Sequence, residues 1–207
     1  MHNHHALITN DDYAMPFNIP GSLTLAASTM NQNFSQNHFE LFDLPTQFDI
    51  ELDQLDQRYR KVQSEVHPDR FAAASGSERL KSMQLATQAN EAYQTLRNPT
   101  SRARYLLHLH GIDTQEESNT AMPADFLILQ MEWREAIEEA NDAHDIDALD
   151  KLLDQTRKTA REFQQDLQHQ LEQALTFEQA SDTVRKLSFI DKVQSDIVQI
   201  ITQLEDA

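Results

Sequence analysis

LDQLDQRYRKVQSEVHPDRFAAASGSERLKSMQLATQANEAYQTLR, residues 52–97, holds two amphipathic patterns separated by a tripeptide that no helix runs through. Leu52, Leu55, Tyr59, Val62 and Val66 recur at steps of three and four, which makes one apolar stripe of a helix. Asp49 is placed to cap its start, and Pro68, with a fixed φ and no N–H, ends it. After a loop of small residues from Ala72 to Ser77, a second helix is predicted from about Glu78 to Arg97. Leu85, Ala86, Ala89, Ala92, Tyr93 and Leu96 form its apolar face. Two such helices joined by a short loop pack as an antiparallel hairpin, with His67-Pro68-Asp69 at the turn. At about 100° per residue, Arg60 and Lys61 fall about 120–140° from the centre of the first stripe and Arg58 lies on its flank. A solvated basic face that leads into an exposed carboxylate is a shape for docking. Pro68 fixes the backbone, His67 can hydrogen-bond backbone or partner, and Asp69 presents an anion suited to a bidentate arginine.

Around this hairpin the pattern stays helical. Upstream, Phe39-Glu40-Leu41-Phe42-Asp43-Leu44 is a short apolar turn closed by Pro45. Downstream, Asn98-Pro99 stops the second helix, and Ser101 to Leu109 supplies one more short turn or helix. Residues 110–121, with Gly111, Thr114, Ser118, Asn119 and Thr120, read as a linker. Three long helical patterns follow: Ala124 to Asn141, then Leu149 through Leu171, then Ala180 through Leu204. Three antiparallel helices of this length bury one common seam, so residues 122–207 are expected to form a three-helix bundle. The expectation is an all-α chain.

The first 36 residues stand apart, with Asp11 and Asp12 as their only charged side chains and no helical or alternating period. They lack the arginines of a mitochondrial presequence and the basic start and continuous apolar stretch of a secretory signal, and read as a disordered extension. His2, His4 and His5 could hold a metal loosely, but at a terminus a solvated cluster is the plainer reading, and no metal is expected. Over the whole chain, 34 acidic side chains against 17 basic ones leave a formal charge of -17. That balance argues against non-specific binding to nucleic acid or anionic membrane. No apolar run approaches the ~18 residues of a membrane span. The absence of cysteine excludes disulfides, a cysteine nucleophile and thiolate-held zinc or iron–sulfur clusters. Three glycines are few for the turns of a many-stranded sheet. Residues 37–114 carry nine basic and eleven acidic side chains, whereas 122–207 carry eight and nineteen. Two modules with different partners are expected.

Leu55, Tyr59, His67-Pro68-Asp69-Arg70-Phe71, Ala86, Asn90-Glu91-Ala92-Tyr93 and Leu96 together resemble a J-domain, the module through which J-proteins activate heat-shock-70-class (DnaK-type) chaperones. Pro99 to Leu107, Asp125-Phe126-Leu127, Glu132-Trp133-Arg134-Glu135 and Arg185 to Phe189 extend the likeness to the HscB family of J-proteins, over about residues 37–206. The resemblance implies an L-shaped co-chaperone without chemistry or cofactor of its own, cytoplasmic, bacterial and monomeric. A J-domain at 37–109 would engage an HscA-type chaperone and accelerate its ATP hydrolysis. The bundle would hold the iron–sulfur cluster scaffold IscU and deliver it. Some eukaryotic relatives carry an N-terminal CxxC module, which this cysteine-free chain lacks.

The residues support the second surface without the resemblance. Phe126, Leu129, Trp133, Ile137 and Ala140 form the core stripe of the first bundle helix. Leu127, Ile128 and Met131 fall about 120–160° from its centre, on the side that faces water. Glu132, Glu135, Glu138 and Glu139 surround them. On the last helix Phe189 lies about 90° from the stripe through Leu187, Ile190 and Ile197. Apolar side chains outside a core and rimmed by carboxylates mark an interaction surface, unless they pack on the hairpin across the linker. The resemblance places scaffold binding at Leu127, Ile128, Met131, Glu132, Glu135, Glu139 and Phe189. The alternative is a helical adaptor whose loop tripeptide is coincidental. Enzyme chemistry is a distant third: His67 and Asp69 have no nucleophile, phosphate loop or metal cluster beside them. His108 and His110, two apart on a helix, do not converge on one ion with Asp113. Tyr93 and Asn90 are core and loop-support residues.

Overall fold

The computed structural model describes residues 36–71, 74–114 and 122–206, and every regular element among them is helical. The extension at 1–35, its histidine cluster and positions 115–121 of the predicted linker lie outside the described residues. Helix α1 (His38–Leu41) is fixed by a reciprocal cap: the Asn37 side chain accepts from Phe39 and Glu40 N–H, and Glu40 accepts from Asn37 N–H. That short turn drives Phe39 and Phe42 into the core.

Helix α2 (Leu52–Val66) runs along the predicted stripe, with Leu55 and Val66 buried. Its start differs from the prediction. Glu51 occupies the cap position without a side-chain bond, and Leu52, in the first turn, is exposed. Asp49 is engaged elsewhere: its N–H donates to Glu172 Oε1 at 2.8 Å, and its carboxylate accepts from Gln168 Nε2 at 3.2 Å. A single 3-10 turn (Pro68–Phe71) follows α2. Helix α3 (Gly76–Arg97) starts two residues before the predicted Glu78, because Ser75 and Glu78 make a capping box. Helix α4 (Pro99–Leu109) is a full helix. Asn98 caps it by accepting from Ser101 N–H, and Pro99 occupies a first-turn position where no N–H is missed. It ends at Leu109 with His110 as the cap, and the chain leaves through Gly111, whose φ of +76° is a conformation glycine adopts without strain.

Helices α5 (Ala124–Asp142), α6 (Ile146–Gln168) and α7 (Phe177–Glu205) form the bundle, with one π-helical turn (His169–Gln173) at the end of α6. Residues 36–207 form one compact unit. Its main core runs from Phe39, Leu55, Ala89 and Leu96 through Leu106 and Leu107 of α4 to Phe126, Leu167 and Leu187 of the bundle. A second cluster, Ala140, Leu149, Leu153, Val193 and Ile197, closes the far end.

Helix α4 therefore packs against both the hairpin and α7. Arg102 is only 6 % exposed, and its Nη1 donates to Leu96 O at 2.7 Å. The guanidinium lies 5.1 Å from the centre of the Phe48 ring. Burial pulls its pKa below the ordinary arginine value, while the carboxylates of Asp49 and Glu172 oppose that shift. Arg104 Nη2 donates to Ser188 Oγ at 3.0 Å, Arg185 to Thr114 O at 3.2 Å, and His110 stacks on Phe177. His38 is half-buried: its N–H donates to Tyr105 Oη at 3.0 Å and its ring stacks on the Tyr105 ring at 4.1 Å. Burial lowers the His38 pKa, with Glu91 opposing.

Replacing Arg102 with Met removes a charge-assisted bond to a buried carbonyl, and is expected to cost about 2 kcal/mol, read as a lower urea midpoint. For His38 the sign is that of a base held neutral. The unfolded chain binds the extra proton first, so stability is full above the ordinary histidine pKa and falls as pH drops through it toward the lowered folded value. Urea titrations at descending pH should show this loss, and His38→Phe should flatten it.

Candidate functional site: two exposed docking surfaces

The first surface is built where α2 ends. Val66 is buried, and its carbonyl accepts from Ser82 Oγ at 2.6 Å in a fully buried bond. This bond ties the last turn of α2 to α3 immediately before the tripeptide. Below it the helices are zipped together. Tyr59 and Tyr93 stack at 4.0 Å, Tyr59 Oη donates to Asn90 Oδ1 at 2.8 Å, and Tyr93 Oη donates to Asp56 Oδ1 at 2.8 Å. Arg97 donates to Tyr93 Oη and closes a pair with Asp56 at 3.7 Å.

Held from both sides, the chain turns at His67 (φ -60°, ψ 128°) into the 3-10 turn. The Asp69 N–H donates to His67 Nδ1 at 3.3 Å, which leaves the imidazole proton on Nε2 in the neutral ring. The Asp69 carboxylate is 3.6 Å from the same nitrogen and its side chain is 90 % exposed. Arg70 does not join it: Arg70 Nη1 donates back to Ser64 O at 3.1 Å. Asp69 therefore faces solvent with its acceptor capacity open, in a turn set by Pro68 and His67. Arg60 and Lys61 are exposed on α2 as the periodicity predicts. Arg58 is held closer in, paired with Asp43 after α1.

The second surface is on α5. Phe126, Trp133 and Ala140 are buried and fix the phase of the helix. The opposite side carries Leu127, Ile128 and Met131, which are 43 %, 58 % and 62 % exposed. The hairpin does not cover them. Glu132, Glu135 and Glu139 are exposed around them. Phe189 differs in kind. It is half-buried, its ring meets Phe126 edge-on at 5.9 Å, and it packs against both core clusters. It borders the surface while supporting the core.

Among the described residues no group of three or more His, Asp or Glu side chains is placed to hold a metal ion. No helix among them is long and apolar enough to cross a membrane. His110 stacks on Phe177. Ser82, Gln63 and Asp43 support the first surface and carry no marked sequence signal, except that Ser82 continues the stripe of Leu85, Ala89 and Leu96.

Comparison with known proteins identifies relatives of the chain. A co-chaperone protein HscB homolog of Ralstonia nicotianae is 50 % identical over 172 residues, 83 % of this chain and 98 % of the relative. The chain belongs to the HscB co-chaperone family. The homolog of Paraburkholderia xenovorans is 49 % identical over 174 residues, 84 % of this chain and 99 % of the relative. The family described as the HSCB C-terminal oligomerisation domain matches residues 122–198, from just before α5 into α7. Among solved structures, chaperone HscB from Vibrio cholerae superposes with a TM-score of 0.72 at 39 % identity, over 82 % of this chain and 99 % of that one. Human co-chaperone HscB gives 0.74 at 32 % identity, over 80 % and 82 % of the two chains. HscB membership gives the chain a co-chaperone role and agrees with the all-α fold.

Removing the buried bond from Ser82 is expected to cost about 1–2 kcal/mol in Ser82→Ala. Amide exchange by mass spectrometry should quicken at 67–71 in that variant while α6 and α7 keep their protection.

Proposed function

We propose that this protein stimulates the ATPase of an HscA/DnaK-type (heat-shock-70-class) chaperone and brings to it the iron–sulfur scaffold IscU, for cluster transfer and maturation of iron–sulfur proteins. In this reading residues 37–109 act as the J-domain, 122–207 as the scaffold-binding bundle, and the work is done in the cytoplasm by a monomer without cofactor. The observation that carries it is the presence, on one compact unit, of two exposed surfaces of different chemistry. One offers an open carboxylate beside a basic helix face, and the other offers apolar side chains among carboxylates.

The chemistry divides accordingly. Asp69 accepts a bidentate arginine of the ATP-bound chaperone, with His67 and Pro68 setting the turn and Arg60, Lys61 and Arg58 completing the contact. A contact made more strongly in one chaperone state biases its two-state equilibrium toward hydrolysis and client capture. Leu127, Ile128 and Met131, with Phe189 at the border, are buried by the scaffold. Glu132, Glu135 and Glu139 select basic groups around them. Each apolar side chain contributes roughly 1.5–3 kcal/mol on burial before the costs of association, which suits a transient complex.

Asp69→Asn keeps the size and removes the charge. A charged hydrogen bond is worth about 1.5–3 kcal/mol, so ATPase stimulation at limiting protein should fall by one to two orders of magnitude, with scaffold binding unchanged. Retained stimulation would remove the J-domain assignment. Leu127→Ala with Met131→Ala is expected to weaken scaffold binding by calorimetry at least tenfold without lowering the melting temperature. Unchanged affinity would return the bundle to a different partner. Phe189 is left intact because its ring supports Phe126.

A further inference from the structure

Helix α5 packs closely on α6 and only sparingly on α7, so an open groove of about 500 Å³ runs between α5 and α7. Ile137, Phe189, Val193 and Ile200 make its apolar floor. Arg134 and Glu138 line one side, and Lys192 and Asp196 the other. All four charged side chains are exposed, and among the described residues none makes an ion pair with this chain.

Two features identify the occupant. The first is continuity. Leu127, Met131, Arg134 and Glu138 follow one another at steps of four, three and four, which is a single stripe on α5. The apolar patch therefore runs directly into the groove wall, and Phe189 belongs to both. The second is shape and charge order. Helices α5 and α7 run parallel, since each is antiparallel to α6, and Phe126 meets Phe189 while Ile137 packs against the cluster that holds Val193 and Ile197 and lines the groove with Val193. Arg134 and Lys192 thus form a basic level near Phe189, and Glu138 and Asp196 an acidic level one turn further. From Phe189 to Gln203 the floor is about 21 Å long, four helical turns. That length with an open side suits a helix lying between α5 and α7, where it would complete a four-helix arrangement.

We infer that the groove receives an amphipathic helix of the protein that covers Leu127, Ile128 and Met131. That helix carries an acidic residue beside Arg134 and Lys192 and a basic one about a turn away beside Glu138 and Asp196. The inference rests on the scaffold-binding reading and extends it along the bundle to Gln203.

The chain has no cysteine, so Gln203→Cys accepts a single environment-sensitive fluorophore at the end of the groove far from the patch. Adding purified IscU-type scaffold should shift its emission to the blue, and Lys192→Glu should weaken scaffold affinity about tenfold. Lys158→Glu, an exposed position on α6 outside the groove, should leave affinity within twofold. Circular dichroism melts confirm that each variant is folded. Scaffold binding that depends on Leu127 and Met131 but leaves both the probe and Lys192→Glu unaffected overturns the groove while the patch stands. No binding of scaffold by the unaltered protein overturns the reading beneath it. A blue shift that grows with protein concentration without scaffold, or that is lost when residues 1–35 are removed, assigns the groove to a second copy or to this chain's own segment and overturns the inference.

Discussion

Helix α4 has to be buried on both sides. Ala103, Leu106 and Leu107 are inside the main core, and the elements they touch belong to the hairpin on one side and the bundle on the other. Arg102 sets the terms of this arrangement. A guanidinium removed from water requires its donors to be met and its charge to be balanced. Leu96 O takes one donor, Nη1, while the Phe48 ring, Asp49 and Glu172 offset the charge, and Nε is left without a partner; these groups come from three separate parts of the chain. The bond from Asp49 N–H to Glu172 closes the same junction over 123 residues of sequence. With α4 seated in this way, the His67–Asp69 turn and the α5 patch are carried on one body. A protein that must present two partners to each other gains from such a frame, because the second contact becomes intramolecular once the first is made.

How far the sequence could be read depended on the range of the interactions involved. Helix α3 was legible because its apolar face repeats and Asn98-Pro99 ends it, and α5 because Phe126 and Trp133 set a phase that throws Leu127, Ile128 and Met131 outward. These are consequences of 3.6 residues per turn. Where a distant partner outbid a local one, the reading failed. Asp49 was expected to cap α2, but its backbone and carboxylate serve Glu172 and Gln168. Arg102 gave no sign of burial, since four of the groups around it lie far along the chain or on another helix. The Ser75–Glu78 box was present in the sequence and moves the start of α3 two residues earlier than apolar periodicity alone indicates.

The two candidate surfaces differ in what holds them. Around Asp69 the order is polar: Ser82 on Val66 O, His67 beneath Asp69 N–H, and the Tyr59–Asn90 and Tyr93–Asp56 bonds of the hairpin. Around Leu127 the order comes from packing, with Phe126, Phe163 and Phe189 meeting edge to face behind the patch. Phe189 faces both ways, which explains why a 90° offset on a helical wheel described it incompletely.

The account depends on one body joining two partners, and steady-state ATP hydrolysis by an HscA-type chaperone tests this most directly. It would be measured with this protein alone, with IscU alone and with both. The account predicts that the protein stimulates hydrolysis, and that protein and scaffold together exceed the sum of their separate effects. Rates for HscA and for a DnaK-type chaperone that do not change on adding the protein, with or without scaffold, would contradict it.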